Sequence, residues 1–320
     1  MFQTIKSIWS PDDFHETSKA PYFEGWFYRF TDAARRNTLA VIPGFYRSPE
    51  SREHAFIMIL NGRTRQTAYK KFPADQFRAS GKSHHIAIGN NIFSHDKVHL
   101  ELDVLSGALN FSALTPWPIT ALSPGAMGVY AFIPFMQCYH AVLSFSHTLQ
   151  GSLKTNGQLV NFDNGLGYTE KDWGSGFPRA YIWVQCQHFQ SGDCSLMVSI
   201  AHIPWLKRYF PGFLAALRHG NRFYAFTTYN GANLIKCRGG KKQIEFSIQK
   251  HDYELEVHAR RSDGGLLHAP VRGQMRPAVE ESLTSSVSLE LRRNNKALLQ
   301  TRGELAGLDV YGDVSCLFKS

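Results

Sequence analysis

The chain has 320 residues, 43% hydrophobic and only 19% charged, which excludes a disordered polymer and leaves room for one large core or two of ordinary size. Its net charge of +9 comes from scattered pairs such as Arg35-Arg36, Lys70-Lys71, Arg260-Arg261 and Arg292-Arg293, without the signature of a nucleic-acid-binding fold. No apolar run approaches the roughly 20 residues that span a bilayer, so an anionic membrane surface, not nucleic acid, is the expected partner of the positive charge.

The opening MFQTIKSIWSPDDF has neither the h-region of a signal peptide nor the Arg/Ser-rich look of a transit segment, and predicts a cytoplasmic, non-plastid protein. The five cysteines form no CxxC pair and read as ordinary thiols of a reducing compartment. YFEGWFYRF (22–30), TLAVIPGF (38–45), HAFIMILNG (54–62) and VHLELDV (98–104) are short, aromatic or β-branched and alternating, the pattern of strands. In the first, Glu24, Trp26 and Tyr28 share one face. TPWPITALSPGAMGVYAFIPFMQCYH is apolar and punctuated by Pro and Gly; 115–140 is expected to be a lid or linker. In GYTEKDWG, Tyr168, Glu170 and Asp172 fall on one side and Lys171 and Trp173 on the other. RAYIWVQCQHF then puts Trp183 and Gln185 on a common face.

From here the chain repeats itself in order. YIWVQCQHF with SLMVSIAHIPW echoes the first pair of strands, overlaying Trp183 on Trp26. YAFTTYNG (224–231) echoes HAFIMILNG, YELEVHA (253–259) echoes VHLELDV, and 286–311 echoes 141–168. The expected architecture is all-β, two tandem antiparallel barrel or sandwich lobes from an internal duplication: 1–114 with 141–168, and 169–320. PWLKRYFPGFLAALRHGNRF (204–223) has no counterpart in this alignment. Mixing bulky apolar with basic residues, it is read as a helical insertion that caps a barrel mouth or lies on a membrane.

A carboxyl buried among apolar groups is pushed toward its protonated form and becomes a proton donor near neutral pH, while indole and phenol faces stabilise a nearby cation. Acid plus aromatic wall is what protonation of an isoprenoid double bond needs. The competing reading of Glu170, Lys171 and Asp172 is an ion-paired corner that closes the barrel. His84, His85, His95 and His99 lack a supporting Cys/Asp cluster, and no metal is expected.

YFEGWFYRF, the 115–140 block, GYTEKDWGSGFPRAYIWVQCQHF and AGLDVYGD together resemble the tocopherol cyclase family. The resemblance implies a two-lobe lipocalin-like fold, distantly related to the carotenoid hydratases. It also implies an isomerase that closes a chromanol ring on a prenylated quinol without a cofactor. The resemblance assigns no proton donor; from the chemistry of a buried acid beside aromatic rings, Asp172 or Glu170 is the expected donor and Glu24 the second choice. Trp26, Trp173 and Trp183 form the wall, and Tyr28, Tyr168, Gln185 and His140 hold the hydrophobic substrate, with membrane contact through 204–223. The alternatives are a carrier of an isoprenoid or quinone lipid, and a hydratase in which water replaces the phenol.

Overall fold

A computed structural model describes residues 8–15, 17–80, 84–121, 123–205 and 208–318. It divides into two units, 1–177 with 267–278, and 178–266 with 279–320. The first sheet is built from β1 (Tyr22–Thr31), β2 (Thr38–Arg47), β3 (Glu53–Asn61), β4 (Thr67–Pro73), β5 (Phe77–Ala79), β6 (His85–Ile88), β7 (Asn91–Ser94), β8 (Lys97–Glu101), β9 (Leu105–Ser112), β10 (Cys138–Thr155), β11 (Gln158–Asn161) and β12 (Leu166–Gly174). The second comprises β13 (Tyr181–Cys186), β14 (His188–Phe189), β15 (Cys194–Trp205), β16 (Arg208–His219), β17 (Arg222–Thr227), β18 (Asn233–Gly240), β19 (Gln243–Lys250), β20 (Tyr253–Arg260), β21 (Gly265–Val271), β22 (Gln274–Arg293) and β23 (Lys296–Tyr311).

The sheets follow one path. The first runs β4-β3-β2-β1-β12-β10-β9-β8-β7-β6-β5, the second β17-β16-β15-β13-β23-β22-β20-β19-β18, so in each the opening strand lies beside the closing one. The chain is all-β, and the duplicated order of its strands is the order of its sheets. Tight turns hold the register: Asn156 and Gly157, joining β10 to β11, have φ of 47° and 82°, the left-handed pair that a two-residue hairpin loop requires.

Two expectations fail. Residues 208–219 are not a helix but β16, bonded along its length to β15 and again to β17. Phe213, Ala215 and Leu217 alternate into the core, a period of two that a helix could not deliver, and Pro211 would interrupt a helix. By sheet position β16 is the counterpart of β3 and β17 that of β4. Pairing YAFTTYNG with HAFIMILNG therefore skipped a strand and made 204–223 look surplus. Pairing YELEVHA with VHLELDV was also one strand out, since by sheet position β20 is the counterpart of β9 and not of β8. The lobe boundary also moves: β12, with Glu170 and Asp172, belongs to the first unit, which runs to 177.

Each unit fills the inner face of its sheet. Trp26, Tyr28, Phe30, Val41, Ile57 and Leu109 are among the first core, and Ile182, Val184, Val198, Ala215, Leu217 and Leu308 among the second. Full burial of a Val, Ile or Leu side chain stabilises by roughly 1.5–3 kcal/mol. The described residues of 113–137 carry no strand beyond the bridge Thr120–Ser123, and a 3-10 turn at Gly128–Phe132. Among the described residues no helix is long and apolar enough to cross a membrane.

Candidate functional site

Register decides which of the expected residues meet. On β1 and β12, Glu24 lies opposite Trp173, Trp26 opposite Lys171 and Tyr28 opposite Thr169, while Gly25 faces Asp172, Phe27 faces Glu170 and Arg29 faces Tyr168. Opposed residues share a face. Glu24, Trp26, Tyr28, Lys171 and Trp173 therefore lie on the inner side of the sheet, and Tyr168, Glu170 and Asp172 on the other. The three expected acids do not line one chamber.

On the inner side, Glu24 and Lys171 are both fully buried and paired, Oε1 to Nζ at 2.5 Å. A strap of residues ahead of β1 completes their shell. His15 N–H donates to both carboxylate oxygens at 3.0 Å, Tyr22 donates its hydroxyl to Oε2, and Lys171 Nζ donates to the Asp13 carbonyl. Burial alone would raise the Glu24 carboxyl, but Lys171 and then His15 outweigh it and hold it down at about 2. Glu24 is thus a carboxylate at neutral pH and cannot serve as the second-choice acid. Nor do Trp26 and Trp173 wait for a substrate cation: the Lys171 ammonium lies over both rings, 4.6 and 4.9 Å from their centroids. Tyr28 is committed as well, its hydroxyl 2.7 Å from His84 Nε2.

The other face carries a row of four polar side chains, Tyr168, Glu170, Asp172 and His140. β10 places His140 opposite Asp172 and Val142 opposite Glu170. His140 Nδ1 lies 2.9 Å from Asp172 Oδ1, Nε2 lies 3.6 Å from Glu170 Oε2, and Tyr168 donates its hydroxyl to that same Oε2. Burial alone would lower the imidazole, but Asp172 and then Glu170 hold it up at about 9. The ring is the proton bearer of this row at neutral pH. Sequence reading placed Glu170, Asp172 and Tyr168 together correctly but treated His140 as a contact for substrate, not as their counter-ion.

Trp183 and Gln185 lie in the second unit, on β13. Ile182 and Val184 fill its core, so Tyr181, Trp183 and Gln185 occupy the opposite face. Trp26 belongs to the inner face of its sheet and Trp183 does not, so the sequence overlay was one residue out of step, and one residue exchanges the faces of a strand. Across from Trp183 on β23 is Asp309, which sequence reasoning missed. It is buried, Tyr181 donates its hydroxyl to Oδ2 at 2.6 Å, and Oδ1 has no hydrogen-bond partner. Burial pushes its carboxyl up to about 7, against the Tyr181 hydrogen bond and the charge of Arg261. The signal was present in AGLDVYGD: an acid flanked by Leu308 and Val310 in an apolar strand.

Donors that could hold a metal ion gather in two places among the described residues, His140 with Glu170 and Asp172, and Glu245 with Glu256 and His258. A cleft of about 550 Å³ in the second unit is lined by Arg222, Tyr224, Lys250, Tyr253 and Arg293, and by none of the expected site residues.

Two antiparallel sheets of matching strand order make this an all-β protein of lipocalin-like fold. CghA bound to Sch210972 has this fold, with a TM-score of 0.59 at 10% identity over 91% of this chain and 89% of that one. So does the kievitone hydratase of Nectria haematococca, with a TM-score of 0.52 at 11% identity over 93% and 91%. At such identities the likeness is one of fold alone. The family model "Tocopherol cyclase-like" matches residues 110–312, and the chain belongs to that family. A chloroplastic protein of Oryza sativa subsp. japonica, described as a "probable tocopherol cyclase", is 25% identical over 206 residues, 61% of this chain. The match spans only 44% of that protein's length. The family segment includes His140, Glu170, Asp172 and Asp309 and leaves out Glu24, Trp26 and Tyr28.

Proposed function

We propose that the protein is a cyclase that isomerises a prenylated quinol to a chromanol by protonating the tail's trisubstituted double bond, with Asp309 as proton donor. The observation that carries the assignment is the Asp309 carboxyl itself: buried, opposite Trp183, with one oxygen fixed by Tyr181 and the other free to bear hydrogen. A donor works best when its pKa lies near the working pH, and a value of about 7 meets that condition. The proton passes from Oδ1 to the less substituted alkene carbon, leaving a tertiary cation. The phenol oxygen attacks the cation and releases its own proton, so atoms and electrons balance without a redox partner. Membership of the tocopherol cyclase-like family supports the reaction class.

A second placing of the acid, on Glu170 or Asp172, is favoured by the packing of Glu170 against Tyr168 and His140. It is weakened by the resting proton on His140, an imidazolium with a pKa of about 9 being a poor donor to carbon.

The test is incubation with a geranylgeranyl benzoquinol in D₂O. Expected is an isomer with deuterium on the tail carbon beside the new ether carbon, and a loss of about 10²–10⁴-fold in turnover for Asp309→Asn. Full turnover by Asp309→Asn, with loss in Glu170→Gln or Asp172→Asn, would move the acid to β12 and leave the cyclase standing. Quinol recovered unchanged but retained on the wild type would make the protein a carrier, and a product heavier by one water a hydratase.

A further inference from the structure

The sequence carries no Asp, Glu, Lys or Arg from Val104 to Leu153, and part of that uncharged stretch lies open on the first unit. In the segment between β9 and β10, Ile119 is 49% exposed, Val129 49%, Phe132 41% and Phe135 63%. Trp9, itself 37% exposed, packs edge-on against Phe132 with ring centroids 5.4 Å apart. Half of the ten exposed large apolar side chains among the described residues thus belong to this one loop or to the Trp9 packed against it. Single exposed apolar residues scattered over a surface are ordinary; five on one loop and its packing partner mark a segment that something covers.

We propose that this loop inserts into the interfacial layer of an anionic lipid bilayer. Three features favour lipid over a protein partner. The loop offers no charged group that a partner could pair and none that would oppose entry into the interface. Three carbonyls around its exposed aromatic residues are paired: Ile133 O accepts from Tyr139 OH, Tyr130 O from Ile133 N–H, and Pro134 O from Lys19 Nζ at 3.4 Å. Unpaired carbonyls are what make irregular backbone costly in a bilayer, and these are paired. Finally, exposed Lys19 brings an ammonium to the loop beside Phe135, on a chain of net charge +9, which matches an anionic headgroup layer. Trp117, buried and stacked on Phe145 at 5.8 Å, roots the loop on the sheet so that its far end can project. The surface differs from the 204–223 segment that composition suggested, where the strand pairing of β16 uses the backbone. The inference is independent of the catalytic reading, although a lipid substrate would make such a surface useful.

Sedimentation with vesicles of phosphatidylcholine, with and without phosphatidylglycerol, tests it. Wild type is expected to pellet with the anionic vesicles and to release at high salt. Phe132→Ala with Phe135→Ala should weaken partitioning by about tenfold or more while far-UV circular dichroism and thermal midpoint stay unchanged. Tyr209→Ala, in the β16 hairpin, should leave partitioning intact. No vesicle binding by wild type, equal binding by the double variant, or loss only in Tyr209→Ala would overturn the proposal. So would a wild-type dimer that the Phe132/Phe135 variant dissolves in the absence of lipid, which would give the loop to a second copy of the chain.

Discussion

The pairs β1–β12 and β13–β23 hold the same place in the two sheets and treat a buried acid in opposite ways. Glu24 and Asp309 are alike in burial, yet the first is held at about 2 and the second at about 7. Their neighbours make the difference: an ammonium at 2.5 Å for Glu24, a phenol hydroxyl at 2.6 Å for Asp309. An ammonium in direct contact outweighs desolvation, whereas the Tyr181 hydrogen bond and the charge of Arg261 together do not. The first arrangement gives a fixed ion pair and the second a carboxyl that changes state near neutrality.

The comparison breaks most visibly if Lys171 is removed. Lys171→Met leaves a carboxylate buried without its partner and is expected to cost about 3–5 kcal/mol in urea denaturation. Adding Glu24→Gln should recover much of that loss. A double variant no more stable than the single one would mean that the pair is not what Lys171 contributes.

Next in size are two pH slopes of opposite sign. The Glu24 carboxyl, held below its unfolded value, contributes stability that is present above about pH 4.5 and lost as pH falls toward 2. The Asp309 carboxyl, raised above its unfolded value, contributes stability that is present below about pH 4 and lost as pH rises through 7, by up to about 4 kcal/mol. Stability measured from pH 4 to 8 should be flatter in Asp309→Asn than in wild type, and an unchanged slope would show that Asp309 titrates normally. His140, raised to about 9, should in turn lose its contribution between about pH 6.5 and 9, an effect absent from His140→Gln.

The smallest effect is the sharpest. Tyr181→Phe removes one hydrogen bond, costing about 0.5–1.5 kcal/mol. Because that bond favours the ionised carboxyl, the Asp309 transition should move to higher pH in this variant, and a midpoint that stays put would remove Tyr181 from the site.

Strand alternation and the duplicated order of segments were legible because hydrophobic period two and turn residues are local properties. Register was not, since it depends on which strand lies alongside. Trp26 and Trp183 look equivalent in text and point to opposite faces of their sheets, and RYFPGFLAALRH reads as amphipathic until β15 and β17 claim its backbone. The grouping of Tyr168, Glu170 and Asp172 was right because alternation alone fixes it. The joining of Glu24 to that group failed because it required the pairing of β1 with β12. Asp309 escaped notice because a lone acid in an apolar strand gives no spacing pattern, only a local contrast.

Residues 12–15 form no helix or strand, yet Trp26 donates its indole N–H to the Asp12 carbonyl, and Asp13 and His15 close the shell around Lys171 and Glu24. This short tail is in effect an inside part reached from the outside. Trimming it to the first strand would strip ligands from two buried charges and let water reach them, a harm out of proportion to four residues. For anyone designing a shortened variant or a fusion, the junction belongs ahead of Asp12.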